Sequence, residues 1–184
     1  MLEEGYAAVT ARRVATEAGI KHPLVHYYFP TTDDLFLALY RRTVEQVMQL
    51  LDEALQSARP LHALWKFTTD ASRTTIAVEF MALANHRKAI RKEIAQHHDR
   101  IREKHVAAFS KLQAAKAIDP KICTPLGLAV LMVGIARILV LEQGVGISMG
   151  HADVHKFMEH LLNRYEPAPR TQRVTSRRAG SRSR

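Results

Sequence analysis

The sequence contains a single cysteine, Cys123, among 184 residues. No intrachain disulfide can form, and this composition fits a reducing cytoplasm. The N-terminus has no basic segment running into an apolar core, so no signal peptide is expected. Glycine is scarce, with eight residues, and no stretch alternates apolar with polar positions, which leaves no signal for strands. A nucleophile elbow, a phosphate-cradling glycine loop and a paired-carboxylate motif are all missing, so the chain reads as a non-enzyme that needs no cofactor. Histidines are plentiful, and His151/His155 (with Asp153 and Glu159 nearby) and Glu93/His97 are i, i+4 pairs. Structural zinc asks for four ligands, usually with cysteine among them, and no cysteine is near; no metal site is assigned.

A hydrophobic fraction of 47% is that of an ordinary globular protein, and the length suffices for a small domain plus a helical body. The formal net charge of +9 is unevenly spread. Residues 1–44 hold five basic residues (Arg12, Arg13, Lys21, Arg41, Arg42) and five acidic ones (Glu3, Glu4, Glu17, Asp33, Asp34), which cancel. The end of the chain, from Glu166, carries six arginines and one acid. Basicity as a whole therefore says little about which segment meets nucleic acid.

The most informative stretch is Thr10 to Phe29, which reads as two short helices and a tight turn. Thr10 suits an N-cap, because its hydroxyl can accept one of the unpaired amides of a first helical turn. Val14, Ala15 and Ala18 give the first helix a small apolar face. Gly19 supplies the left-handed conformation that ends helices, and Pro23 sits where a second helix begins. Val25 and Phe29, four apart, point inward and leave His22, Leu24, His26 and Tyr27 outside. This is a helix-turn-helix, whose second helix suits a DNA groove.

Gly5-Tyr6, Thr10, Val14-Ala15, Ala18-Gly19-Ile20, the run Pro23 to Pro30 and Asp34-Leu35 together resemble the N-terminal signature of the TetR/AcrR family of transcriptional regulators, over roughly residues 1 to 44. The resemblance implies phosphate contacts from Thr10, Arg12, His26, Tyr28, Thr31 and Thr32. It implies a major-groove face made of Lys21, His22, Pro23, Leu24 and Tyr27. Lys21 would donate to guanine, and Leu24 and Pro23 would meet a thymine methyl. Thr32 stands where many members carry lysine, and His26 where tyrosine is commoner. The family's first helix is also several turns longer than MLEEGYAAV allows. The expectation is that translation starts upstream of Met1; were the short form genuine, Val14, Val25 and Phe29 would lose cover.

Downstream, Thr31-Thr32-Asp33-Asp34 is a helix-start signal. A helix from there to about Ala58 is predicted, with Leu35, Leu39, Thr43, Val47, Leu50/Leu51 and Ala54 as its apolar row and Pro60 closing it. Further helices are predicted near 61–69, 71–85, 88–116, 124–143 and 152–164. In helix 88–116, Arg91, Lys92, Arg100, Arg102, Lys104 and Lys111 make a solvated face. Pro125 to Leu141 is apolar almost all round apart from Arg137, which marks a buried helix. It is too short and too poorly anchored for a membrane span, so no membrane association is expected. Gly127 and Gly134 would allow close helix approach at a dimer interface, with helix 152–164 as partner. The resemblance implies the same four-helix interface. The Ser/Arg-rich end is expected to be a disordered basic tail that either touches DNA phosphates or only solubilises.

An effector pocket is less legible. Trp65, Phe80, Phe109 and Met132, with Asn85, Arg87 and Arg137 as polar anchors, are the candidates. Arg137 needs either a carboxylate such as Glu142 or Glu79, or an anionic ligand. The reading is therefore an all-α, cytoplasmic regulator of double-stranded DNA. A reader domain spans 1–44, a helical effector-binding and dimerisation domain 45–165, and a tail 166–184. It would act as a ligand-responsive repressor and homodimer on a palindromic site, answering to a small-molecule effector. The alternative is a ligand-binding or interaction protein of the same fold whose reader is impaired.

Overall fold

The computed structural model describes residues 1–167 apart from 2, 115–118 and 120. The arginine-rich tail and the end expected for helix 88–116 lie outside the described residues. Within them, all regular structure is helical. A 3-10 turn at Tyr6–Ala8 precedes eight α-helices: α1 Ala11–Glu17, α2 His22–Tyr28, α3 Thr32–Gln56, α4 Pro60–Thr68, α5 Ala71–His86, α6 Lys88–Ala114, α7 Pro125–Gly144 and α8 His151–Tyr165.

The local signals act as their chemistry requires. The Thr10 side chain accepts from the Arg13 amide at 3.2 Å, and Gly19 turns the chain with φ +65°. Thr31 and Asp34 form a complete capping box at the start of α3. Pro60 does not close α3, which ends at a Ser57 cap; it occupies the first turn of α4, where its missing N–H costs nothing. Glu166, assigned from sequence to the tail, instead caps α4. Its carboxylate accepts from the Leu61 amide at 2.9 Å and its backbone carbonyl from Arg59.

Helix α3 buries a different row from the one expected. Phe36, Tyr40, Val44 and Leu51 are buried, whereas Leu39 and Leu50 lie outside. Both rows step at helical spacing. The observed one is selected because it sinks two aromatic rings, which remove far more apolar surface from water than two leucines. The ring of Tyr40 meets that of Phe80 edge-on at 5.0 Å.

Two apolar clusters result. One, nearer the reader, gathers Phe36, Tyr40, Val44, Phe80, Leu83 and Ile90 from α3, α5 and α6. The other gathers Leu51, Leu61, Leu64, Phe109, Met132, Met158 and Leu162 from α3, α4, α6, α7 and α8. Between them runs a layer that is partly polar, holding Thr68, Thr74, His98, His105 and Arg137. Helix α7 is long and apolar enough to cross a membrane by length and composition. Here it packs on α4, α5 and α6, and most extensively on α6.

The row chosen by α3 is testable by urea denaturation. Phe36→Ala is expected to cost about 3–5 kcal/mol, because it opens a cavity in a sealed site. Leu39→Ala, on the open side, is expected to cost less than about 1 kcal/mol. Equal costs would show that the register is wrong.

Candidate nucleic-acid interface

Helices α1 and α2 pack on each other and present one free surface. Val25 and Ala15 are buried between them and Phe29 is half-buried, so the remaining residues of α2 are forced outward. Tyr27 is 79% exposed and Tyr28 66%, with their rings edge-to-face at 5.2 Å. Leu24 and Ile20 are also exposed. With Gly19, Lys21, Pro23 and Tyr27 they line a shallow groove at the turn. Lys21 caps α2 without using its side chain. No acidic residue occurs between Ala18 and Pro30.

The charges around this surface are sorted by ion pairing. Arg13 is held by Glu4, one guanidinium nitrogen lying 2.9 Å from the carboxylate, and that bond holds the Glu4 carboxyl below its usual range. Arg12 and Lys21 make no ion pair within the described residues and keep their charge for a partner. At the start of α3, Asp33 is neutralised by Arg87. Asp34 accepts from the Thr31 side chain at 2.7 Å and from the Thr31 amide at 3.0 Å, which holds its carboxyl low. The Thr31 hydroxyl is thus committed to the capping box, while Thr32 and Thr10 remain exposed. Two acids that would repel phosphate are answered internally.

Three contacts dock the reader onto the body. The Tyr6 amide donates to Glu79 Oε2 on α5 at 2.7 Å. Gly5 lies so close that a Cβ there would stand 3.3 Å from the same oxygen. Arg87, between α5 and α6, pairs with Asp33 and lies 5.8 Å from the Phe36 ring centre. Arg41 of α3 pairs with Glu93 of α6 at 2.5 Å. Sequence reasoning missed Glu79 and Arg87 as docking residues, since no local pattern links positions 73 and 54 apart.

The candidate pocket residues do not converge. Phe80 lies in the reader-side cluster, Asn85 is exposed, and Arg87 serves Asp33. Trp65 packs against the distal cluster and meets His155. Phe109 and Met132 share a wholly apolar cavity of about 230 Å³ between α7 and α8. Arg137 stands apart in a cavity of about 100 Å³ with His98 and His105. Its expected partners are occupied elsewhere: Glu142 by His151 at 2.8 Å, and Glu79 by Tyr6. Burial, then the nearby Arg102, pushes the Arg137 guanidinium below its ordinary value. His98 and His105 did carry a signal, for both fall in register with Ile94, Ile101 and Ala108 on the apolar face of α6.

Residues 1–39 match the family model for bacterial regulatory proteins of the TetR family. No curated protein matches the chain. Among solved structures, the fold resembles the crystal structure of a candidate TetR-family transcriptional regulator from Rhodococcus sp.. The TM-score is 0.70 at 19% identity, covering 90% of this chain and 92% of that one. At that identity the likeness is one of fold.

Burial, followed by repulsion from Arg137 and Arg102, depresses His98 from 6.5 to about 4. The unfolded chain therefore takes up this proton first. The contribution is full above about pH 6.5 and is lost as pH falls toward 4, by roughly 2–3 kcal/mol for a half-buried ring. Chemical denaturation from pH 7 to 4 should show this slope, and His98→Gln should flatten it; an unchanged slope in the variant would refute the assignment.

Proposed function

We propose, from the premise that the chain is a TetR-family transcriptional regulator by its N-terminal segment and its fold, that it is a cytoplasmic, ligand-responsive repressor acting as a homodimer on a palindromic operator. The observation that carries the reading is the outer face of α2. Two tyrosines and a leucine stand in solvent beside an unpaired lysine, and no acid lies among them. Exposed aromatics of this density signal a binding surface, and the local charge selects an anionic partner. In the major groove, Lys21 donates to guanine O6 or N7, while Pro23 and Leu24 meet a thymine methyl; His22 and Tyr27 complete the face. Thr10, Arg12, His26, Tyr28 and Thr32 hold phosphates at the edges, and Thr31 contributes by fixing the start of α3.

Residues 1–44 form the reader in this scheme, and 45–165 the effector and dimer body. Dimerisation is supported by an unpartnered apolar stripe. Leu126, Val130, Leu131, Ile138 and Leu141 are exposed along one side of α7, and Phe157 of α8 beside them is 60% exposed. Gly134 lies in this stripe, and a Cβ there would meet nothing within 4 Å among the described residues. A second copy would find a close-approach point at that glycine. Gly127 acts differently: its own Cβ would strike Cys123 Sγ at 2.8 Å. Ligand binding in the body would shift α3 and change the spacing of the two readers.

Two measurements test this. Lys21→Ala and Tyr27→Ala should each weaken binding to a genomically selected DNA fragment about tenfold or more at fixed salt, with melting temperature held. Wild-type affinity in both would sink the DNA-reading assignment. For the dimer, sedimentation at micromolar concentration should give twice the chain mass, and Phe157→Glu with Leu131→Glu should give one. A monomeric wild type would overturn the interface.

A further inference from the structure

The polar layer between the two apolar clusters is short of one anion. Arg137 enters it from α7 and has no carboxylate partner among the described residues. Arg102 of α6 lies near enough to repel it. Arg73 of α5 is already satisfied, by Asp70 at 3.2 Å and by the Phe67 ring 4.8 Å away. His105 is 3% exposed. Its Nδ1 bonds the Ile101 carbonyl at 2.8 Å, and its Nε2 is buried with no hydrogen-bond partner among the described residues. An Nδ1–H that donates to a carbonyl leaves Nε2 as a bare lone pair. Such an orphan is costly in a closed interior, and a bound partner that donates to it would remove the cost.

Arg102 of α6 and Arg137 of α7 are the charges acting on His105. His98 of α6 and Arg73 of α5 share the cavity with it, whereas α3 and α4 offer only Val47, Phe67 and Thr68. Asp99 of α6 acts on His98 but is outweighed there by burial and the two arginines. Among the described residues the cavity lining itself holds no carboxylate: its charged members are Arg137 and the already paired Arg73. The cavity itself is about 100 Å³, roughly the share of three waters, with Val47, Ala77 and Val133 among its apolar walls.

We propose that this cavity binds a small organic carboxylate of about two to four carbons together with one proton from solvent. The carboxylate lies against Arg137. The proton goes to His105 Nε2, which changes from acceptor to donor and hydrogen-bonds the second carboxylate oxygen. The alkyl end meets Val47, Ala77 and Val133, which disfavours a fully hydrated inorganic anion. This deepens the reading of the chain as ligand-responsive and rests on it. Burial holds His105 below its ordinary value before binding, so the proton must be acquired with the ligand.

Isothermal titration of the full chain with sodium propionate and butyrate at pH 6, 7 and 8, in two buffers of different ionisation enthalpy, tests this. We expect uptake of one proton and affinity falling about tenfold per pH unit between 7 and 8. Propionamide should give no binding. Arg137→Gln should lose binding at least tenfold while folding as well as wild type, since it removes an uncompensated buried cation. Arg137→Lys should retain binding within tenfold, a second arm that holds if the glutamine variant misfolds. His105→Gln should bind without proton uptake. Equal binding of propionamide, of chloride or of phosphate would overturn the proposal, as would a pH-independent affinity or no heat at 10 mM of either carboxylate. DNA affinity is measured on the same preparation. Carboxylate binding without DNA binding would sustain the cavity and remove the regulator reading, and the reverse result would remove the cavity alone.

Discussion

One helix has to be buried in two cores at once. Helix α3 runs for 25 residues, about 37 Å. Its first half is sunk into the reader-side cluster through Phe36, Tyr40 and Val44, and its second half into the distal cluster through Leu51. Neither half can rotate without dragging apolar surface out of the other. Close-packed interiors resist continuous deformation, so a displacement at one end is carried along the helix as a rigid shift. The start of α3 is also the point where the reader is attached, braced by Glu79 on Tyr6 and Arg87 on Asp33.

The layer between the clusters is where this rigid arrangement is least settled. A second arginine and two histidines lie near Arg137, and no carboxylate pairs with it among the described residues. Outside this layer, Tyr40 of α3 and His97 of α6 also bury polar atoms with no partner among the described residues, and burial, then Glu93, raises the Tyr40 hydroxyl to about 12. Well-folded interiors satisfy such groups, and departures from that rule tend to sit where function needs them. Val47 links this layer to the reader directly, because it lines the cavity and belongs to α3.

The helix-turn-helix is legible in the sequence because every one of its boundaries is a local chemical decision. Thr10, Gly19, Pro23 and the Thr31/Asp34 box each act within four residues, and short-range geometry is what a sequence displays. The body was legible only as helices. The first half of the α3 row differs from the expected one by one position, Phe36, Tyr40 and Val44 replacing Leu35, Leu39 and Thr43, while Leu51 is buried as expected; two rows share the same period, and side-chain size decides between them. Arg137 was visible as an oddity, but its surroundings depend on α5, α6 and α7 together. His98 and His105 lie in register with the apolar row of α6, but register alone does not show that three helices close around them. Glu79 and Arg87 act across gaps in sequence that no periodicity spans.

DNA reading by this chain requires α2 to enter a major groove. DNA fragments selected by the chain from a genomic library, probed by methylation protection at guanine N7, test that directly. The expected result is two protected patches about one helical turn apart, at 10–10.5 base pairs, arranged as an inverted repeat. Recovery of no preferred sequence, or a selected fragment whose guanine N7 positions all remain reactive when bound, would contradict it.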